Sequence, residues 1–415
     1  MTTFEELYKK ILEESSETDR EELQKIRDLD YDPYHLDCLL NPKEGSSDFN
    51  IGGCNCDKEN VDNCEYRCIH EALYNEGEST KTQDELCDEC KSCVDTCKGK
   101  VLKSSKDIIP VIKALKNKKG PVYALIAPAF QGQFSSTVTP GKLRNAFKEL
   151  GFDGMVEVAL FADILTLKEA LEFDKNIQTE SDYQLTSCCC PMWIAMIRKK
   201  YKELMPHVPG SVSPMIACGR TVKKLHPNAT TVFIGPCVAK KAEAKEPDIN
   251  DAVDFVLTFK EISDIFDFAN INPDNMEDTE KDHSSRAGRI YARSGGVSEA
   301  VKDTIERLNP NKKVKIKTEK AQGVKECKEM INRLLNNETS ANFFEGMGCV
   351  GGCVGGPKRI IDASLGKENV DAYGNEAKYK TPIDNPYVVE LLHRLGFDSV
   401  EEFLYNSDIF ERHFD

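Results

Sequence analysis

Cysteine carries most of the chemistry this sequence offers. Seventeen of its 415 residues are cysteines, against 7 histidines and 1 tryptophan. The run Cys87-Asp-Glu-Cys90-Lys-Ser-Cys93-Val-Asp-Thr-Cys97 has the spacing C-x2-C-x2-C-x3-C. That spacing lets three close thiolates cover one face of an iron–sulfur cubane while the fourth reaches another cluster. Zinc motifs more often come as two C-x2-C pairs with a longer spacer. Upstream, Cys54-Asn-Cys56 and Cys64-Glu-Tyr-Arg-Cys68 end in the same x3 step. The two blocks predict two [4Fe-4S] clusters. By the crossing rule, Cys68 completes the cluster of Cys87, Cys90 and Cys93, and Cys97 that of Cys54, Cys56 and Cys64. Two cubanes with no pocket around them form an electron wire. His70, close to Cys68, is not needed as a ligand.

Three later runs join cysteine to Gly or Pro, which permit sharp turns and close backbone approach. They are Leu185-Thr-Ser-Cys188-Cys189-Cys190-Pro191-Met-Trp193, Gly235-Pro236-Cys237-Val-Ala-Lys240-Lys241-Ala-Glu243, and Phe344-Glu-Gly-Met347-Gly-Cys349-Val-Gly-Gly-Cys353-Val-Gly-Gly-Pro357. In this order and spacing they resemble the three signature motifs of the [FeFe]-hydrogenases. The resemblance covers about residues 50 to 365, with a ferredoxin-type two-cluster module upstream. It implies an H-cluster: a [4Fe-4S] cubane joined through one cysteine sulfur to a diiron unit bearing CO, CN⁻ and a bridging dithiolate amine. The implied cubane ligands are one cysteine of the first run with Cys237, Cys349 and Cys353, the last bridging to the diiron unit.

The first run has one cysteine more than the common family pattern. Aligned on Pro-x-Trp, Cys190 is the ligand and Cys189 the proton shuttle. Aligned on Thr-Ser, Cys189 is the ligand and Cys188 the shuttle. The first alignment is preferred, because Pro191 suits the first position of a helix and fixes the geometry there. The resemblance further implies that Lys240 donates to a cyanide ligand, with Glu243 on the same helical face. It assigns Glu169 and Glu172 to proton transfer beyond Cys189. It places Pro128, Ala129, Ser213 and Met347 around the cofactor. Several positions depart from the family. Ala129 stands where a serine is common, and Gly235 where a methionine often packs. Pro209 stands where the relay serine is expected, and Asn176 where an arginine is.

The elements that must hold these residues follow from composition. Up to about residue 104 the chain is polar and poor in large apolar residues, so metal clusters must supply the cross-links. Beyond it, apolar runs such as Val122 to Ala127 and Thr231 to Ile234 read as buried strands. They alternate with helical patterns, Leu165 to Phe173 and Ile194 to Leu204. The expected class is α/β (α+β overall), a two-lobed catalytic domain of mixed or parallel sheets flanked by helices. The expected divisions are a helical extension over 1–50, a ferredoxin-like domain over 51–104 and the catalytic domain over 105–415. Phe4, Leu7, Tyr8, Ile11 and Leu12 recur at helical spacing, continued by Leu23 and Ile26. Asn41 to Gly53 reads as a linker and Asn272 to Ser285 as a surface loop. Cys38, Cys218 and Cys327 fit no motif and read as buried structural cysteines.

A formal net charge of −15 argues against nucleic-acid binding. No signal peptide and no apolar stretch of membrane-spanning length is visible, so a cytoplasmic location is expected. The reading is a hydrogenase interconverting 2H⁺ + 2e⁻ and H₂, served by maturation proteins and a soluble carrier such as ferredoxin. Lys103 to Lys119 and Lys312 to Lys325 are candidate docking patches for an acidic carrier. The rivals are a non-catalytic hydrogenase-like protein of iron–sulfur cluster assembly and a hydrogen sensor.

Overall fold

The computed structural model describes residues 106–186, 188–405 and 408–414, together with 2, 4–15, 29–31, 36, 39–40, 73–76 and 79–82. Cys38, the eight cysteines Cys54 to Cys97, His70, Leu23, Ile26, Lys103 and the Asn41–Gly53 stretch lie outside the described residues. Strands β1 (Leu73–Glu76) and β2 (Ser79–Thr82) form an antiparallel hairpin between the two cysteine blocks.

The rest is α/β. Four strands, β3 (Val122–Ile126), β4 (Gly154–Glu157), β6 (Thr230–Gly235) and β7 (Phe255–Thr258), form a parallel sheet in the order β4-β3-β6-β7. Three more, β5 (Gln184–Leu185), β8 (Thr318–Gln322) and β9 (Phe343–Met347), form a second parallel sheet in the order β5-β9-β8. Helices cover both sheets, so the inner strands β3, β6 and β9 are apolar nearly throughout. Ile126 pairs with Ile234 across the first sheet, and Leu185 with Phe344 across the second. Parallel strands send all their carboxyl ends to one edge. Pro128 follows β3, Cys188 to Cys190 follow β5, Cys237 follows β6, and the glycine-rich run follows β9.

The Phe4–Ser15 helix buries Leu7, Tyr8, Ile11 and Leu12 in the main core. Tyr8 Oη donates to Asp264 Oδ2 at 3.2 Å, fixing this helix to the Phe259–Phe268 helix. The expected helix from Ile194 to Leu204 runs from Pro191 to Lys200, then tightens into a 3₁₀ segment from Lys202 to His207 that contains Pro206. The Asn272–Ser285 stretch is not wholly superficial. Ser284 and Ser285 are buried, and Ser285 caps the next helix while donating to Asp163 Oδ1 at 2.5 Å. Lys312 does not belong to an exposed basic patch: it is buried and donates to the Asp174 carbonyl at 2.7 Å. Cys218 and Cys327 are buried among apolar side chains. No helix among the described residues is long and apolar enough to cross a membrane.

Candidate functional site

The edge where the strands end gathers the thiols. Cys190 caps the Pro191–Lys200 helix, with Pro191 at its first position, and its sulfur accepts from the Gly348 N–H at 3.3 Å. Cys190, Cys237 and Cys349 pack around Met192 and Ala239. Cys353 interacts electrostatically with both Cys190 and Cys237. Burial pushes the Cys237 and Cys353 thiols up to about 12, the proximity of other thiols adding to it. Uncoordinated, they are neutral; binding iron requires that they release their protons.

The backbone of the third motif is shaped for close approach. Gly351 and Gly352 have φ of +90° and +81°, the left-handed region that side chains disfavour. A Cβ on Gly352 would lie 2.5 Å from the Ser294 nitrogen. Glu345, on β9, ties that strand to the start of the Gly296–Leu308 helix by accepting from the Gly295 N–H at 2.7 Å and the Ser298 N–H at 2.8 Å.

Beside the thiols lies an apolar cavity. Its lining includes Pro128, Cys189, Met215, Phe233, Lys240 and Cys353. Lys240 is the cation there. Its Nζ donates to Glu243 Oε2 at 2.5 Å, and Glu243 Oε1 accepts from Ser213 Oγ. Burial opposes the charge on Lys240, but Glu243 beside it outweighs that, and the ammonium is held above its ordinary range. Ser213, expected around the cofactor, therefore acts at one remove. The lining comes from its neighbours Pro214 and Met215, while Ser213 anchors Glu243 and caps the Pro214–Leu225 helix. Ala129 is buried next to Pro128, and Met347 belongs to the apolar cluster against which Cys189 and Cys190 pack; neither lines the cavity. At Gly235, a Cβ would meet the Phe233 ring at 2.9 Å, so Phe233 fills the space a side chain there would need.

The three adjacent cysteines face three ways. Cys190 joins the thiol group, Cys189 lines the cavity, and Cys188 turns toward Glu169, its sulfur 3.8 Å from Oε1. The thiol hydrogen-bonded to Glu169 is that of Cys188. Glu169 Oε2 accepts from Thr186 Oγ1. Burial raises the Glu169 carboxyl to about 8. Glu172, one turn on, pairs with Lys168 at 2.5 Å, and Lys168 Nζ also donates to Ser211 Oγ at 3.1 Å.

Sequence reasoning missed Lys168, Thr186, Ser211, Tyr291 and Glu345. Tyr291 lines the cavity, and its hydroxyl lies 2.9 Å from Thr166 Oγ1. Thr186 lay inside the first cysteine motif, and Glu345 stood out as a carboxylate inside an otherwise apolar strand. Asp163, on the same helix as Glu169, is a structural hub. It accepts from the Ser285 N–H at 2.6 Å and the Gly288 N–H at 2.8 Å, and burial raises it to about 6.

Thiols thus group where parallel strands end, beside a cavity holding one ammonium. The chain belongs to the family of iron-only hydrogenase large subunits: residues 120–357, more than half of it, match the family's C-terminal domain. It is 29% identical to iron hydrogenase 1 of Clostridium pasteurianum over 275 residues, covering 57% of this chain and 48% of the relative. It is 26% identical over 371 residues to the NADP-reducing hydrogenase subunit HndD of Solidesulfovibrio fructosivorans, covering 75% and 63%. The chain thus spans less than two thirds of the length of either. It is also 23% identical over 321 residues to the cytosolic iron-sulfur assembly component 3 of Bos taurus, covering 64% and 67%. An [FeFe]-hydrogenase variant from Chlamydomonas reinhardtii shares the fold, with a TM-score of 0.61, 20% identity, and coverage of 74% of this chain and 98% of that one.

Proposed function

We propose that the protein is an [FeFe]-hydrogenase interconverting protons, electrons and H₂. The observation that carries this is the shared cavity of Cys189, Lys240 and Cys353, beside the Cys190, Cys237 and Cys349 thiols. The donor set fits an H-cluster. Cys190, Cys237, Cys349 and Cys353 would hold the cubane, and Cys353 alone would tether the diiron unit. That unit, when bound, supplies the two-electron chemistry of making and cleaving H₂.

The chain's own residues do the rest. Lys240, kept charged by Glu243, offers a buried ammonium to an anionic group on the diiron unit. The apolar lining excludes water and strengthens that contact. Cys189 is placed to exchange a proton with the cavity, and Cys188 with Glu169. Glu169, neutral near pH 7, holds a proton for delivery, and Glu172 stands beyond it. The eight cysteines from Cys54 to Cys97 would hold two further [4Fe-4S] clusters in a 51–104 module, serving a soluble carrier such as ferredoxin. Maturation proteins would insert the diiron unit.

A second reading is an iron–sulfur protein of cluster assembly with no diiron unit, favoured by the similarity to the Bos taurus protein. Infrared spectroscopy of the matured protein decides. Bands of iron-bound CO and CN⁻ with H₂ evolution are expected; a cubane without those bands overturns the hydrogenase reading.

A further inference from the structure

The cavity ammonium depends on a bond between two distant parts of the chain. Ser213 Oγ donates to Glu243 Oε1, and Glu243 Oε2 accepts from Lys240 at 2.5 Å. Ser213 ends the loop 210–213, and Glu243 ends the Ala239–Glu243 helix. Arg412 is tied to both segments. Its N–H donates to the Gly210 carbonyl at 3.2 Å, and the Val212 N–H donates to the Phe410 carbonyl at 3.1 Å, around an antiparallel bridge between Ser211 and Glu411. Its guanidinium reaches the other segment. Nε donates to Asp248 Oδ2 at 2.7 Å, and Nη2 donates to Asp248 Oδ1 at 3.2 Å and to Glu246 Oε2. The Glu246 N–H donates in turn to the Glu243 carbonyl at 3.1 Å. Arg412 is 8% exposed, and its guanidinium lies 4.7 Å from the centre of the Phe414 ring. None of the cysteine motifs includes it.

We propose that Arg412 is a positioning residue for the cavity ammonium: it clamps the backbones on either side of the Ser213–Glu243 bond, so that Glu243 holds Lys240 at one place in the cavity wall. A lysine is a point charge on a flexible stem, whereas an arginine fork is planar and stiff. Lys240 therefore goes where its carboxylate is held. That carboxylate is fixed at one oxygen by Ser213, and the bond survives only while the two segments keep their spacing. Arg198 also donates to Glu246, at 3.1 Å, and Arg220 donates to the Asp248 carbonyl at 2.9 Å. These keep the 246–248 turn in place when the Arg412 side chain is changed, so what is lost is the tie to the loop 210–213. The weight of the clamp for catalysis rests on the hydrogenase reading; the clamp itself does not.

The test is competitive acetylation by acetic anhydride in the full-length protein before maturation, read residue by residue by tandem mass spectrometry. Lys241, buried and paired with Glu261 at 2.9 Å, and buried Lys168 are the controls. A loosened Lys240 exposes its amine. Arg412→Met is expected to label Lys240 about tenfold faster, an ordinary coupling for residues sharing one network, with both controls unchanged. Arg412→Lys restores part of the protection, since it keeps the charge but not the fork. Asp248→Ala speeds Lys240 labelling by less. Arg412→Met combined with Asp248→Ala labels it no faster than Arg412→Met alone, because both remove the same link. Lys240 labelling that is unchanged in Arg412→Met overturns the proposal, as does a rise shared by Lys241 and Lys168, or additive effects in the double variant. If Arg412→Met does not fold, the ratio of Lys240 to Lys241 labelling in Asp248→Ala decides in the same way. Absence of CO and CN⁻ bands after maturation would sink the hydrogenase reading and leave this result standing.

Discussion

The Cys188 sulfur lies 3.8 Å from Glu169 Oε1 and 3.7 Å from the Val212 carbonyl oxygen. Both oxygens are acceptors within reach of the one thiol hydrogen. Thr186 donates to the other carboxyl oxygen, so Glu169 is held from both sides. Replacing Cys188 by Ala removes one of those donors. Turnover is expected to fall about 100-fold with iron content unchanged. Cys190→Ala, in contrast, should strip the cubane itself, which iron analysis reads directly.

Glu169 also sets a pH dependence. Its carboxyl titrates near 4.5 in the unfolded chain and at about 8 in the folded one, because of burial. Between those values the folded state holds the extra proton. The group therefore opposes folding increasingly as pH rises from 4.5 to about 8, and by a constant amount above. Glu169→Gln removes the ionisable group while keeping the shape. Its stability relative to wild type should climb steadily between pH 5 and 8, by about 4 kcal/mol for a shift of that size. A flat difference across that range would count against a raised carboxyl.

Ser213 is tied to both a helix end and the Lys240–Glu243 pair. Ser213→Ala removes a cap and one donor to a buried carboxylate, for a loss of about 2 kcal/mol in denaturant unfolding. With Glu243 less fixed, the ammonium should wander, and the CN⁻ stretch of the matured variant should broaden.

Gly352→Ala combines a φ of +81° with a Cβ at 2.5 Å from the Ser294 nitrogen. The left-handed conformation alone costs about 1–2 kcal/mol. The contact is with backbone, so relief must come from moving the Cys349–Cys353 loop. Loss of cubane iron is expected, with the two sheets still formed by circular dichroism.

The parallel strands were legible because strands covered on both faces are apolar throughout: Val122 to Ile126 and Thr230 to Gly235 have no other plausible place. The thiol group was legible through cysteine spacing and glycine. Lys168 and Ser211 were not, because a Lys followed by a Glu reads as a solvated helix surface until distant segments cover it. Ser213 fell beside the cavity and not on it because it caps the Pro214–Leu225 helix, whose first residues Pro214 and Met215 face in. Lys312 shows the converse error. Its position in a lysine-rich stretch suggested an exposed patch, but the Asp174 carbonyl draws it into the body.

Cys237 leaves the four-stranded sheet, whereas Cys190, Cys349 and Cys353 leave the three-stranded one. A cubane bound to all four is a rivet through two separately paired sheets. Iron held there would be a structural strut as much as a conductor. Stripped of it, the protein should melt in two calorimetric steps, one for each sheet, and reloading should fuse them into a single sharper and hotter one.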